Sequence, residues 1–211
     1  KLISFYKKEN SNFLDYCCGT GLFSIFPLMN NYNLHGMDIS NQSIKVAKMR
    51  SEYFSLEGKC NFKVMDAENL TYEDNKFDII VSYNSLSYLD LEKSYSELSR
   101  VLKPNGILII MDSVGHNLFF RINRNRNLSK WASNFINKVN ILKIGDINLA
   151  NKYFNLQQIK YFDFLSIIFL FLNKKFSFKL INWLDSMILR LPFSYLLAFK
   201  YVAVYKSRKS S

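Results

Sequence analysis

The stretch "FLDYCCGTGLFS", Phe13 to Ser24, sets two glycines, Gly19 and Gly21, directly behind a short apolar run that contains an aspartate, Asp15. Three readings are open to it: a cradle for a nucleotide, a redox pair made of the adjacent Cys17 and Cys18, or a tight turn between a strand and a helix. Glycine tolerates positive φ and lets a ligand approach the backbone, and a helix starting just beyond such a turn presents unpaired N–H groups. A glycine pair alone does not choose among the three. The neighbouring sequence has to.

Working outward, residues 11 to 112 alternate between short β-rich runs and helix-like stretches, the pattern of an α/β domain with a mostly parallel sheet. Strands are predicted over Asn12–Tyr16, Asn33–Asp38, Cys60–Met65, Phe77–Ser82 and Gly106–Met111. "SNQSIKVAKMRSEYFSLEG" reads as a crossover helix, capped by Ser40 or Asn41, with Ile44, Ala47, Tyr53 and Leu56 at near-helical spacing and a stop at Gly58. "DLEKSYSELSRVLKPNG" repeats the design with Leu91, Tyr95, Leu98 and Leu102, and Pro104-Asn105-Gly106 ends it in a turn. Beyond Asp112 a helix is expected in "GDINLANKYF", and two further strands at Leu156–Asp163 and Phe199–Lys206.

In an open parallel sheet ligands gather at the carboxyl ends of the strands, where the glycine turn would sit. Asp38 ends the second strand about 20 residues after that turn, where a carboxylate can accept hydrogen bonds from ribose hydroxyls. Read by itself, Asp38 could equally cap the next helix. Asp66 and Ala67 follow the third strand, at the same edge. Acids at successive strand ends, in order, favour the nucleoside reading over each local one.

These residues carry a family resemblance. "FLDYCCGTG", "GMDIS", "VMDAENL", "KFDIIVSYNSLSYL" and "SRVLKPNGILIIMD" follow one another as in class I S-adenosylmethionine-dependent methyltransferases, and are most similar to the methyltransferase type 11 group of ubiquinone and menaquinone biosynthesis enzymes. The likeness covers Asn12 to Asp112. The turn departs from a dinucleotide fingerprint, with Ser24 where a third glycine would stand. The resemblance implies a Rossmann-like sheet in the order 3-2-1-4-5-7-6, strand 7 antiparallel, helices on both faces, and helical insertions in the C-terminal half. It implies S-adenosylmethionine as methyl donor. Asp15 would hold the turn and reach the methionine amino group, with Tyr16, Cys17, Gly19 and Gly21 supplying backbone contacts. Asp38 would bind the ribose, Ile39 flank the adenine, Asp66 and Ala67 border its edge, and Tyr83 line the methionine end. Cys17 and Cys18 then become spacers rather than redox thiols.

The chain has 211 residues and is 49% hydrophobic, enough for one full core, so a single domain over 1–211 is expected, with a cofactor-binding core at 11–112 and substrate-side insertions at 113–211. It opens without methionine, so a missing N-terminal piece is expected. The three cysteines show no disulfide framework and no metal-ligand spacing, which fits a reducing cytoplasm and no metal. Charge divides sharply: 12 cationic and 14 anionic side chains through Asp112, net −2, against 16 and 3 from Ser113 onward, net +13. A basic half of that kind points to an anionic partner. The run "FLSIIFLFL", Phe164 to Leu172, is too short to span a bilayer but suits an interface, so contact with an anionic membrane surface is one expectation and a core element the other. The C-terminal half is similar to that of an uncharacterised group of these methyltransferases, with an aspartate-led helix before the sixth strand and a Leu-Pro turn before the seventh.

The acceptor is expected to be a small molecule or a lipid- or sugar-linked compound. Nucleic acid is the rival, since basic residues can track phosphates. Against it, "SYNS" at Ser82 to Ser85 lacks the Pro-Pro-aromatic sequence of enzymes that methylate DNA amino groups. A non-catalytic cofactor-binding module of the same fold is the other alternative. His116 is the candidate general base or substrate contact, Asn84 and Tyr88 are pocket candidates beside Tyr83, and His35 is expected to be structural.

Overall fold

The structure, a computed structural model, describes residues 11–24, 33–115, 142–163, 178–189, 191 and 194–210. Seven strands form one sheet: β1 Asn12–Tyr16, β2 Asn33–Asp38, β3 Cys60–Val64, β4 Phe77–Tyr83, β5 Leu102–Ser113, β6 Phe154–Phe162 and β7 Lys200–Ser207. Their order is β3-β2-β1-β4-β5-β7-β6, with β7 antiparallel to both of its neighbours and the pairs among β1 to β5 parallel. This is the predicted order. The chain reverses direction of travel across the sheet between β1 and β4, and the ends of those two strands flank the glycine turn.

Both faces of the central strands are buried, which is why "ILII" in β5 is apolar at consecutive positions instead of alternating. On one face Leu14, Tyr16, Ile80, Leu108 and Ile110 pack with Tyr95, Leu98 and Val101 of helix α2, Leu91–Val101. Asp90 caps α2 by accepting from the Lys93 N–H at 3.2 Å. On the other face Phe13, Leu34, Phe62 and Ile79 meet Ile44 and Ala47 of α1, Asn41–Tyr53. The cap of α1 is Ser40, whose hydroxyl accepts from the Ser43 N–H at 3.2 Å.

Two local expectations change. Helix α1 stops at Tyr53, short of Gly58, because Ser55 takes a left-handed φ of 53° and the N–H groups of Phe54 and Ser55 close on the carbonyls of Arg50 and Glu52. Tyr53 accordingly leaves the apolar face and is 84% exposed, while Ser51 takes a buried place. Pro104-Asn105-Gly106 is not a turn ahead of β5 but an excursion inside it: Phe77 pairs with Leu102 and Ile79 with Ile107, so β4 advances two residues while β5 advances five. Asn105 carries the left-handed φ of 61° there. A Cβ on Gly106 would stand 2.7 Å from Leu102 Cδ1, so the excursion needs glycine at that point.

The expected helix in "GDINLANKYF" is α3, Ile144–Leu149, continued by a single 3₁₀ turn, Ala150–Lys152. Asp146 opens α3 by accepting from the Lys143 N–H at 2.8 Å. A fourth helix, α4, spans Phe178–Ile188. His35 lies within β2, its ring against those of Tyr72 and Phe77 and its imidazole held down to about 4 by burial and by Lys76 and Lys63. The membrane-interface expectation at Phe164 to Leu172 lies outside the described residues, as does His116. Among the described residues no helix is long and apolar enough to cross a membrane.

Candidate functional site

β1 leaves the sheet through Tyr16 into a turn with three left-handed residues, Cys17 at φ 57°, Gly19 at 53° and Gly21 at 70°. The two glycines serve different ends. Among the described residues a Cβ on Gly19 would meet nothing within 4 Å, so only its backbone conformation calls for glycine; a Cβ on Gly21 would stand 3.1 Å from the Ala47 Cβ and 3.3 Å from the Phe62 ring, so it lets α1 and β3 pack close. The Cys18 N–H donates to the Met37 carbonyl at 2.8 Å, tying the turn to β2.

Asp38, at the end of β2, is hydrogen-bonded on both oxygens: Oδ2 accepts from the Gly19 N–H and Oδ1 from the Ser40 N–H, each at 2.9 Å. One carboxylate thus joins the glycine turn to the start of α1, and each oxygen keeps acceptor capacity for a ligand. After β3, Asp66 Oδ1 accepts from the Glu68 N–H at 2.9 Å and folds its own loop. The Tyr16 hydroxyl donates to the Ala67 carbonyl at 2.8 Å from a fully buried side chain, fixing that loop from below.

Asp15 is buried beside the turn and accepts from the Ser24 hydroxyl. Burial pushes its carboxyl up to about 6, Ser24 opposes the rise and the Asp38 charge adds to it. Burial likewise pushes the Cys17 thiol up to about 12 and the Cys18 thiol well above its ordinary range, with Asp15 and Asp38 adding to both. Neither thiol is ionised near neutrality, so neither is a reactive redox group.

The fourth wall is the loop after β4. Tyr83 faces the Phe23 ring at 4.3 Å between centroids. Asn84 turns through φ 51° and its N–H donates to the Met111 carbonyl at 2.8 Å. A short 3₁₀ turn, Leu86–Tyr88, follows.

These pieces enclose a cavity of about 290 Å³ at the carboxyl edge of the sheet, lined by Cys17, Asp38, Ile39, Asp66, Ala67, Tyr83, Asn84, Ser85, Tyr88 and Leu89. Of the ten residues expected to hold the cofactor, six line it and four lie behind it, and the two further pocket candidates, Asn84 and Tyr88, line it as well. Asp15, Tyr16, Gly19 and Gly21 lie behind the wall as anchors of the turn and of the Ala67 loop. Sequence reading missed Ser85 and Leu89 in the lining and Asp112 beneath it. The signal for Asp112 was present: it is another acid at the end of a buried apolar strand.

Among the described residues the lining holds two carboxylates and no Lys or Arg. A di- or triphosphate would meet like charge there, whereas a nucleoside with hydroxyl and amino donors, and with positive charge instead of phosphate, meets complementary groups. Ile39, 73% exposed, and Ala67 offer apolar surface to a flat base. Among the described residues no group of three or more His, Cys, Asp or Glu is placed to hold a metal ion.

Sheet order, glycine turn and strand-end acids together define a Rossmann-like α/β domain with its ligand cleft at the reversal point of the sheet. A family model described as a methyltransferase domain matches residues 7–161, and the chain belongs to that family. It is similar to demethylmenaquinone methyltransferase of Bacteroides fragilis, 34% identical over 102 residues that make up 47% of this chain and 42% of that protein. It is also similar to ajmaline N-methyltransferase of Rauvolfia serpentina, 31% identical over 115 residues, 53% of this chain and 39% of that protein. The chain thus spans well under half the length of these curated relatives. Among solved structures, geranyl diphosphate C-methyltransferase of Streptomyces coelicolor A3(2), in complex with Mg²⁺, geranyl diphosphate and S-adenosyl-L-homocysteine, superposes with a TM-score of 0.72 over 99% of this chain and 78% of its own, at 15% identity. A SAM-dependent methyltransferase of Methanosarcina mazei gives 0.68 over 98% and 96%, at 19% identity.

Proposed function

We propose that the chain is a methyltransferase that takes S-adenosylmethionine in the cavity at the carboxyl edge of β1, β2 and β4 and transfers its methyl group to a small-molecule or lipid-linked acceptor. The observation that carries this reading is the lining itself: among the described residues it offers two carboxylates and apolar surface and no cation, at the end of the glycine turn. When bound, S-adenosylmethionine supplies a methyl group made electrophilic by a positively charged sulfur.

The chain's own residues then bind, orient and shield. Asp38 would accept from the ribose hydroxyls with the acceptor capacity left on its two oxygens. Ile39 would cover a face of the adenine, with Asp66 and the Ala67 backbone at its edge. Cys17 and Gly19 would present backbone toward the methionine portion, Asp15 would hold the turn through Ser24, and Tyr83 with Phe23 would border the methionine end. Methyl transfer is an in-line displacement in which placement of the two reactants and exclusion of water do most of the work. A neutral Cys17 thiol suits that task, since a thiolate there would itself be a nucleophile.

For the acceptor, the support is the range of names among the relatives, which covers a quinone precursor, an alkaloid and a sterol. Isothermal titration with S-adenosylmethionine tests the cofactor: saturable binding is expected, and a folded chain that binds none overturns the reading. Incubation with methyl-labelled cofactor and a metabolite extract, followed by separation of labelled products, tests the acceptor class; label in RNA alone would overturn the small-molecule assignment.

A further inference from the structure

We propose that Asp112 is a positioning residue for the cofactor cavity: its buried carboxylate fixes the Asn84–Leu89 wall, so that cofactor affinity depends on Asp112 although it touches no ligand. The inference rests on the cofactor reading above and concerns a residue outside the cavity lining.

Four of the ten lining residues, Asn84, Ser85, Tyr88 and Leu89, come from this one short loop. Asp112 sits near the end of β5 and is 2% exposed. Its Oδ2 accepts from the Leu86 N–H at 3.0 Å, in the middle of the loop, and its Oδ1 accepts from the Ser113 N–H at 2.7 Å. The preceding residue, Met111, receives the Asn84 N–H at 2.8 Å and pairs in register with Tyr83. Ser82 and Ser85 join their hydroxyls at 2.7 Å across the same loop. The end of β5 therefore holds the wall by two backbone contacts two residues apart, one of them a carboxylate.

The environment of that carboxylate is what marks it. Tyr95 of α2 and Tyr201 of β7 are the ionisable groups that face it, neither is cationic, and among the described residues no Lys or Arg pairs with it. Burial pushes its carboxyl up to about 6, against which the N–H groups of Ser113, Leu86 and Ser85 hold the charged form. A buried carboxylate without a cation is costly, and among the described residues the compensation comes from backbone N–H groups of the loop and the strand end. Removing it orphans the Leu86 N–H, and the wall residues on either side lose the contact that sets their position.

The test uses S-adenosylmethionine titrations and thermal melts on the full chain and three variants. Asp112→Ala is expected to raise Kd at least tenfold at a temperature where it is folded. Asp112→Asn, which keeps one acceptor oxygen for Leu86 while its NH₂ faces the Ser113 N–H outside the wall, is expected to recover part of the affinity, with Kd between those of Asp112→Ala and the unmodified chain. Leu98→Ala, buried in α2 and away from the cavity, is expected to lower the melting point as much as Asp112→Ala with Kd unchanged. Equal Kd in the Asp112→Ala variant and the unmodified chain overturns the proposal alone, as does an Asp112→Asn variant no better than Asp112→Ala. Absence of binding by the unmodified chain overturns the cofactor reading and this proposal with it.

Discussion

Replacing Asp38 by alanine removes the acceptor of two backbone N–H groups at once, those of Gly19 and Ser40, both at 2.9 Å. Hydrogen bonds to a charged group contribute roughly 1.5 to 3 kcal/mol each, and a buried donor left alone costs a comparable amount. In the free chain both N–H groups lie close enough to solvent for water to replace the carboxylate in part, so the loss is expected mainly on binding. A loss of about 1 to 3 kcal/mol in cofactor affinity corresponds to a Kd raised about 5- to 150-fold. Asp38→Asn keeps the shape but offers one oxygen to two N–H groups, so an amide NH₂ must face either Gly19 or Ser40. It is expected to approach the alanine variant.

The affinity loss alone would not separate a ribose contact from a disordered turn. A double cycle does. Isothermal titration of S-adenosylhomocysteine and its 2′-deoxy analogue into the unmodified chain and Asp38→Ala gives four values. If Asp38 accepts from the ribose, the deoxy analogue binds roughly tenfold more weakly to the unmodified chain and within twofold of the parent in the variant. The same loss in both backgrounds refutes the ribose contact. An unchanged Kd in Asp38→Ala refutes the placement of the cofactor altogether.

Three further outcomes follow from the geometry. Gly36→Ala would put a Cβ 2.4 Å from the Phe62 ring and 3.1 Å from the Cys18 sulfur; overpacking of this kind costs about 1 to 3 kcal/mol, a melting-point drop of several degrees, and an unchanged melt would contradict the close approach of β2 to β3 and the turn. Iodoacetamide at pH 8 is expected to modify Cys17 on the order of a thousandfold more slowly than a free cysteine, because its thiol is pushed up to about 12; mass spectrometry showing alkylation at the free rate would refute that. Stability should carry an Asp112 signature in pH: a folded-state value raised from 3.8 to about 6 means the folded chain holds the proton more tightly, so this group contributes most below 4, and about 3 kcal/mol is lost as pH rises through 6. His35, held down to about 4, pulls the other way over the same window. The sign is therefore read from the difference between the unmodified chain and Asp112→Asn, which should favour the unmodified chain increasingly as pH falls from 7.5 to 5; a flat difference would place the Asp112 carboxyl at its ordinary value.

The central strands β4 and β5 were legible because burial on two faces forces near-continuous apolar runs, while the order of the sheet came from the family resemblance that the motif residues carry. Boundaries inside that plan were less so. Nothing local in "EYFSLEG" announces that Ser55 rather than Gly58 will take the left-handed conformation, since serine pays a steric cost there that tertiary contacts outweigh. "KPNG" was read correctly as a break but assigned to the wrong side of a strand start, because the pairing of Leu102 with Phe77 is a long-range event. Of the expected lining residues, six stand at or just beyond strand ends and Asn84 and Tyr88 lie in the loop after β4. Asp112, Ser85 and Leu89 sit in the same motifs, but their roles were not read because they depend on contacts between β5 and a loop more than twenty residues earlier.

The strand-end acids share one physical logic. Parallel strands ending on the same edge leave the first N–H groups beyond them without ladder partners, and a carboxylate at that place can take them up. Asp38 does so for Gly19 and Ser40, Asp66 for Glu68, and Asp112 for Leu86 and Ser113. Because, among the described residues, backbone N–H groups rather than lysines or arginines satisfy these acids, the loops are folded without neutralising the acids themselves. Asp15, its carboxyl satisfied by a serine hydroxyl, adds to the same field. The described part of that edge thus carries negative charge on side chains that its own backbone has already oriented. The same few carboxylates thereby close the turns of the fold and set the charge of the described cavity lining.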